Sequence, residues 1–355
     1  MRALYFGTYD ASYPRNAQVI SCLRSAGVEV VERRVPVWGR HNWRLGLGQL
    51  ARVARAERVL ARTTHTEADV LIVGYPGHFD IPAARRVAAG RPLVFNPLVS
   101  LHDTLVTDRR RFGRRSPAAG MLRQVDRIAF GKPDLVVADT EEHARFYTES
   151  LGVPRERLGV AFVGAEDAIF RPGWQPPVAF HALHVGKLIP LHGLDTILEA
   201  AKLAPEIPFR IVGDGQLEGL LSSTAANVDH SRWLDYTLLP AAYRAAGCAL
   251  GIFGTGAKAG RVIPNKVFQA LACGAAVVTG DTPAARELLT DGRDALLVPP
   301  GDPEALAAAI RRLAASPNLA TEVGEAGRRT YERRASEVVL GEQWRELLER
   351  VIAAR

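Results

Sequence analysis

Short, nearly unbroken apolar runs alternate along this chain with longer stretches in which apolar positions recur every three or four residues. Runs such as Val70-Leu71-Ile72-Val73 and Leu135-Val136-Val137-Ala138 have no polar alternate, which is what a parallel strand covered on both faces requires. The longer stretches have the helical period. In order, the first half predicts strands over 2–6, 28–31, 69–74, 92–95 and 134–138, with helices over 15–26, 45–62, 81–89 and 121–130 between them. Thr140-Glu141-Glu142 then opens another helix with a capping hydroxyl and acids in its first turn.

The period is lost over 163–177, where turn formers dominate, and this segment reads as an interdomain linker. The alternation restarts beyond it. Strands are expected over 180–185, 209–212, 248–253, 276–279 and 295–298. Helices are expected over 194–204, from Gln216, and over 264–273, 284–289 and 302–315, before two long ones over 319–334 and 336–354. Such alternation builds doubly wound α/β domains, whose ligands sit beyond the carboxyl ends of the strands. The 355 residues suffice for two of them.

The helix over 264–273 stands out. Pro264 suits a first helical position and Gly274 an exit. Asn265, Lys266, Gln269, Ala270 and Cys273 fall on one arc and Val267, Phe268, Leu271 and Ala272 on the other, a polar face backed by a core face. Lys266 lies in the first turn, where the helix dipole disfavours a cation by roughly 0.3–1 kcal/mol. With Arg261 upstream, an anion bound at this helix end explains the placement; a solvated lysine on an amphipathic helix is the plainer alternative.

Composition narrows the class. A content of 47% hydrophobic and 23% charged residues is that of a soluble globular protein. No apolar run has the length of a bilayer span, and residues 1–7 read as a first strand rather than a signal peptide, so a cytoplasmic protein is expected. Cys22, Cys248 and Cys273 share no metal spacing and read as buried thiols. The net charge of +7 is uneven: residues 1–165 hold 25 Lys and Arg against 16 Asp and Glu. An anionic partner for the first half follows, either a phosphorylated acceptor or the inner membrane face contacted peripherally.

Candidate chemistry lies at the predicted strand ends. Gly7-Thr8 offers close backbone approach and a hydroxyl, or is a routine turn. His102-Asp103 can orient a sugar hydroxyl or shuttle a proton. Arg109, Arg110, Arg111, Arg114 and Arg115 form a solvated loop or an anion-binding flap; the lack of acids among them favours the flap, and the lack of interleaved aromatics argues against nucleic acid. In the second half, Gly186-Lys187 and His192-Gly193 bracket a strand end and a helix start, a usual place for a pyrophosphate clamp. Gly213-Asp214-Gly215 makes a tight turn after the next strand. Gly-x-Gly-x-x-Gly and Asp-x-Asp are both absent, so neither a dinucleotide fingerprint nor a metal-bridging acid pair is present, and metal-independent chemistry is expected.

Together these motifs resemble the retaining glycosyltransferases of family four (glycosyl transferase group 1), which have the GT-B fold and use nucleotide-sugar donors. Gly186-Lys187 through His192-Gly193 resembles the family's phosphate-binding pair. Ile211-Val212-Gly213-Asp214-Gly215, Phe268-Gln269-Ala270-Leu271-Ala272-Cys273-Gly274 and Val298-Pro299-Pro300-Gly301-Asp302 also match, and Gly164 through Pro172 resembles the linker. Where the family commonly has two Glu separated by seven residues, this chain has Arg261 and Gln269, and Pro264-Asn265-Lys266 resembles the Pro-x-Lys of some subgroups.

The resemblance implies two Rossmann-like domains facing a cleft: an acceptor domain over 1–165 and a nucleotide-sugar domain over 166–335, with a final helix over 336–355 crossing back to the first. It implies transfer of a sugar, with retention, from a nucleotide-diphosphate sugar that is a substrate rather than a cofactor. Lys187, Lys266 and Arg261 would neutralise the diphosphate, His102 and Asp103 would position the sugar, and Asn265 and Gln269 would support the nucleoside side. Gly7, Thr8, Gly186, His192, Gly213 and Asp214 would complete the donor contacts. A catalytically silent nucleotide-sugar-binding relative is an alternative, as is another GT-B chemistry such as nucleotide-sugar epimerisation.

Overall fold

The computed structural model describes residues 1–38, 47–63 and 67–354; the expected helix start at Leu45 and the terminal Arg355 lie outside them. The chain divides into two units, one formed by Met1–Phe162 with the segment from Glu337 onward, the other by Val163–Ser336. The division after Phe162 falls at the start of the turn-rich segment.

The first unit runs β1 (Arg2–Gly7), α1 (Pro14–Ser25), β2 (Glu29–Arg34), α2 (Leu47–Leu60), β3 (Val70–Val73), α3 (Ile81–Ala88), β4 (Leu93–Phe95), α4 (Pro117–Gly131), β5 (Leu135–Ala138), α5 (Glu141–Leu151) and β6 (Leu158–Val160). Its six strands are parallel in the order β2-β1-β3-β4-β5-β6. Tyr5 of β1 stands opposite both Glu32 and Ile72. Winding reverses direction between β1 and β3, so the loops after these strands flank the unit's switch point, the usual ligand position in such sheets. β3, β4 and β5 are buried at every residue, as polar-free runs require.

The second unit runs β7 (Ala182–Val185), α6 (Leu194–Leu203), β8 (Phe209–Val212), β9 (Val228–Ser231), α7 (Leu239–Ala245), β10 (Cys248–Leu250), α8 (Asn265–Cys273), β11 (Val277–Gly280), α9 (Pro283–Leu288), β12 (Leu296–Val298), α10 (Pro303–Ala315) and α11 (Pro317–Arg334). Its parallel order is β12-β11-β10-β7-β8-β9, with the reversal between β7 and β10. Leu194, Ile197 and Phe209 pack with Leu250, Val278 and Leu306 in its core.

A last helix, α12 (Glu337–Ala353), packs on α1 within the first unit. Gly341 permits the close approach: a Cβ there would lie 2.4 Å from the Cys22 carbonyl oxygen. Beside it Trp344 is fully buried, its ring 6.0 Å from the Arg15 guanidinium carbon, and Arg350 donates to the Leu158 carbonyl at 3.0 Å. No helix among the described residues is long and apolar enough to cross a membrane.

Several elements depart from the sequence pattern. β6 and β9 are edge strands, Leu-Gly-Val and Val-Asp-His-Ser, and β9 is only partly buried, so little apolar pattern marks it. α7 is short, with proline in its first turn. The helix expected from Gln216 is only a 3-10 turn, Glu218–Ser223. The Ser222 hydroxyl there donates to the Gly219 carbonyl at 2.8 Å, and serine and glycine both weaken an α-helix at such a point. Residues Asp103–Asp108 form a wide π-helical turn directly after His102.

Candidate functional site

Helix α8 begins one residue later than expected: Pro264 is its cap, in extended backbone, and Asn265 its first helical residue. Beyond Asn265 the expected polar arc is not open to water. Lys266, Gln269 and Cys273 are buried along with Val267 and Phe268, because β10 and β11 pack on the helix together with α7 and α11. Polar groups on that arc must therefore find partners inside the unit.

Lys266 finds two imidazoles. Its Nζ lies 3.2 Å from Nε2 of His184 and 3.3 Å from Nδ1 of His192. His184 belongs to β7, and His192 ends the 3-10 turn Pro190–His192 that follows this strand. Burial holds the Lys266 ammonium well below its ordinary range. Burial, then the charges of Lys266 and His192, do the same to His184. His184 Nδ1 is itself buried with no hydrogen-bond partner.

Glycines wall this corner. A Cβ at Gly186 would lie 3.0 Å from Lys266 Nζ and 3.1 Å from His192 Cε1, and one at Gly213 would lie 1.9 Å from the Gly186 carbonyl oxygen. The loops after β7 and β8 thus meet backbone to backbone, which only glycine allows. The corner combines a helix N-terminus, a buried cation and two imidazoles at the switch point of the sheet. That combination suits a phosphate-type anion.

Lys187 and Asp214 sit at the rim. They form an exposed ion pair, and Lys187 holds the Asp214 carboxyl below its ordinary range. Lys187, expected on a diphosphate, is here engaged by a carboxylate; exposed pairs are worth about 0–1 kcal/mol, so an anionic ligand can compete for it. Arg261, at the end of the turn Ala259–Arg261, and Asn265 are both half-buried on the segment that enters α8.

Gln269 is engaged within the second unit. Its Oε1 accepts from the Tyr243 hydroxyl at 3.2 Å and its Nε2 donates to the Tyr236 hydroxyl at 3.4 Å. Tyr236 donates onward to Glu166 at 2.8 Å. In this arrangement Gln269 is a buried bridge between two tyrosines, with α7 packed on α8.

In the first unit, Gly7 and Thr8 meet Asp80. Thr8 is buried: its N–H donates to Asp80 Oδ2 at 2.7 Å, its hydroxyl donates to Asp80 Oδ1 at 2.8 Å, and the same hydroxyl accepts from Trp38 Nε1 at 3.0 Å. A Cβ at Gly7 would strike Asp80 Oδ2. Asp80 thus packs directly against Gly7 and Thr8. Burial, then the Asp80 charge, push Glu57 up to about 10, and burial raises Asp80 as well.

His102 and Asp103 are placed by Asp126 of α4. Asp126 accepts from the Ser100 hydroxyl at 2.6 Å, the Leu101 N–H at 3.0 Å and the His102 N–H at 2.9 Å. The Ser100 oxygen accepts in turn from the Asp103 N–H at 3.0 Å. His102 Nε2 is shielded from solvent with no hydrogen-bond partner. Of the arginine cluster, Arg110, Arg111, Arg114 and Arg115 are exposed and Arg109 is half-buried.

The structure therefore gathers Gly186, His192, Gly213 and Lys266 in one corner of the second unit, and His102 and Asp103 on one loop of the first. Sequence reasoning missed His184, which looks like a core histidine in an apolar strand. It also missed Asp126, whose signal is an acid on the buried stripe of α4 between Leu122 and Ala129.

Residues 6–163 match the family Glycosyl transferase 4-like domain, and residues 179–316 match Glycosyl transferases group 1. The chain is 28% identical over 277 residues to the lipopolysaccharide core biosynthesis glycosyltransferase LpsD of Rhizobium meliloti, covering 71% of this chain and 77% of that one. It is 30% identical over 230 residues to the exopolysaccharide phosphotransferase SCO2592 of Streptomyces coelicolor, covering 62% of this chain and only 24% of that protein. Among solved structures it is similar to a sucrose-phosphate synthase from Thermosynechococcus elongatus, with a TM-score of 0.77, 16% identity and coverage of 100% and 99% of the two chains. It is also similar to Anabaena Alr3699/HepE in complex with UDP-glucose, with a TM-score of 0.72, 17% identity and coverage of 99% and 100%. At those identities the likeness is one of fold.

Proposed function

The chain belongs to the glycosyltransferases of the GT-B fold, joining a glycosyl transferase 4-like domain to a glycosyl transferases group 1 domain, and on that premise we propose that it moves a sugar from a nucleotide-diphosphate sugar to an acceptor hydroxyl. The observation that carries the reading is Lys266, buried between His184 and His192 beside the open wall of Gly186. Breaking a sugar–phosphate bond leaves charge on the departing diphosphate. A preorganised cation at a helix N-terminus meets that charge, and losing one such group costs about 10²–10³ in rate.

In this proposal Lys266, His192, Arg261 and the backbone around Gly186 and Gly213 receive the diphosphate. Lys187 exchanges Asp214 for it, and Asn265 faces the nucleoside side. His102 and Asp103, held by Asp126, position the sugar. Retention follows if a leaving phosphate oxygen helps deprotonate the acceptor on the face the diphosphate leaves. The absence of any Asp-x-Asp supports metal-independent transfer. The excess of basic residues over 1–165 supports an anionic or membrane-associated acceptor met at the cytoplasmic face. The similarity to Anabaena Alr3699/HepE, a protein solved in complex with UDP-glucose, also supports a nucleotide-sugar donor.

A thermal-shift panel of nucleoside diphosphates and their sugars tests the donor, since a ligand that binds only the folded state raises its melting temperature. Turnover with the best donor, with and without EDTA, and the anomer of the product by NMR test the rest. No shift and no turnover across the panel refute the proposal. Activity lost to EDTA and restored by Mg²⁺ or Mn²⁺ overturns metal independence, and an epimer formed without acceptor points to epimerisation. The buried engagement of Gln269 favours one second reading, a binding relative without turnover, which tight nucleotide binding with neither hydrolysis nor transfer would identify.

A further inference from the structure

We infer that the exposed face of α4, with the loop that leads into it, docks the first unit onto an anionic lipid bilayer. From Arg109 to Pro133 the chain has eight Arg or Lys residues and one acid, Asp126. That acid is buried beneath the helix and occupied by the loop over 100–102. Arg110, Arg111, Arg114 and Arg115 are exposed ahead of the helix, Arg123 and Arg127 are exposed on it, and Lys132 is exposed at its end. Among the described residues, none of these seven makes an ion pair. Acids nearby are engaged elsewhere: Glu141 with Arg155, Glu142 with Arg145, and Asp134 with Arg85.

Charge alone would attract any polyanion; the apolar side chains decide between partners. Met121 is 53% exposed and Ile128 37% exposed. Seven residues apart, they lie on one line of the helix. Arg123 and Arg127 lie one turn apart along the other flank of the exposed face, about 100–160° round the helix from the apolar pair, with exposed Gln124 between the two. Leu122, Ala129 and Phe130, on the opposite side, are core. Two apolar side chains can thus enter the headgroup boundary while the long basic stems reach lipid phosphates. Roughly four to eight Lys or Arg on an amphipathic helix is what recognition of anionic lipid asks for. A single-stranded nucleic acid would need aromatic platforms, but Phe130 is buried and Phe112 packs with Val106 and Leu122.

This inference rests on the proposed function only in naming where a membrane-borne acceptor is met; docking itself needs no catalysis. The full chain is sedimented with vesicles of phosphatidylcholine alone and of phosphatidylcholine mixed equally with phosphatidylglycerol. Binding to the mixed vesicles is expected to be at least about tenfold tighter and to weaken as salt rises. Arg123→Glu with Arg127→Glu should lower it about tenfold, and Met121→Gln with Ile128→Gln should lower it by a smaller factor. Arg52→Glu with Arg55→Glu, the same charge change at exposed positions of α2, should leave it within about twofold. Circular-dichroism melts check that each variant is folded.

Equal binding to both vesicles, no binding to either, indifference to the α4 reversal, or capture of RNA in place of vesicles each overturns the inference. The nucleotide thermal shift is read on the same samples. Vesicle binding without a nucleotide shift leaves the docking face standing while the donor proposal falls, and the reverse result does the opposite.

Discussion

The ammonium of Lys266 sits 3.2 Å from Nε2 of His184, so a cation on helix α8 is held in place by a side chain of strand β7. Lys266→Met should remove nucleotide-induced stabilisation and lower sugar turnover by about 10²–10³. The same change should raise the melting temperature of the ligand-free protein, because replacing a buried cation by an apolar side chain of similar volume removes a desolvation cost. His184→Gln should lower turnover less, since the cation stays while its placement loosens. Steady-state kinetics beside melting curves check this; full activity in Lys266→Met means the diphosphate is held elsewhere.

Nucleotide affinity should depend on pH through the same group. Folding lowers the pKa of Lys266, so the unfolded chain binds the extra proton, and the stability contribution of this residue rises with pH from the lowered value to its ordinary one of about 10.4. A bound diphosphate favours the charged ammonium and reverses the shift, so binding takes up a proton. Affinity should therefore weaken as pH rises through the range between the lowered value and the ordinary one. Titration calorimetry in two buffers of different ionisation enthalpy reads the proton number, and a zero value in the wild type contradicts the coupling.

Glu57 offers a pH test in the first unit. Its pKa is pushed up to about 10 by burial and the Asp80 charge. The unfolded chain releases this proton near an ordinary value of about 4.3, so stability from this group is lost as pH rises between the two values. Glu57→Gln should thus gain melting temperature over the wild type at pH 8 and not at pH 4. A difference that does not change with pH rules the explanation out.

Asp126→Ala should destabilise the protein by about 3 kcal/mol or more, because the Ser100 hydroxyl and two backbone N–H groups lose a charged acceptor. Donor turnover should fall with it, through the loosened loop that holds His102. Asp126→Asn should recover part of both losses. Urea denaturation and kinetics on the two variants test the assignment.

Gly341→Val should cost roughly 1–3 kcal/mol by forcing α12 away from the Cys22 carbonyl. Its melting temperature should drop, while nucleotide affinity at low temperature stays near that of the wild type because the second unit is untouched. Loss of nucleotide affinity with folding intact would assign α12 a larger role.

Much of this fold was legible beforehand because burial leaves a local record. A central parallel strand has no polar alternate, so β3 and β5 can be read from Val70–Val73 and Leu135–Ala138, and lost periodicity marks the start of the second unit at Val163. Edge strand β9 leaves little record, since only one neighbour covers it. The glycines at 186 and 213 and the cation at 266 were visible as residue types at strand and helix ends.

What the pattern could not contain is which distant groups meet. On a helical wheel Lys266 and Gln269 share one polar arc; in the folded unit one meets two histidines, 82 and 74 residues away in sequence, and the other meets two tyrosines. Periodicity records which side of an element is apolar. The number of neighbours that cover an element, and the partners they bring, follow from strand order and helix packing. That is why Lys266 and His184 became one site only when β7 and α8 were brought side by side.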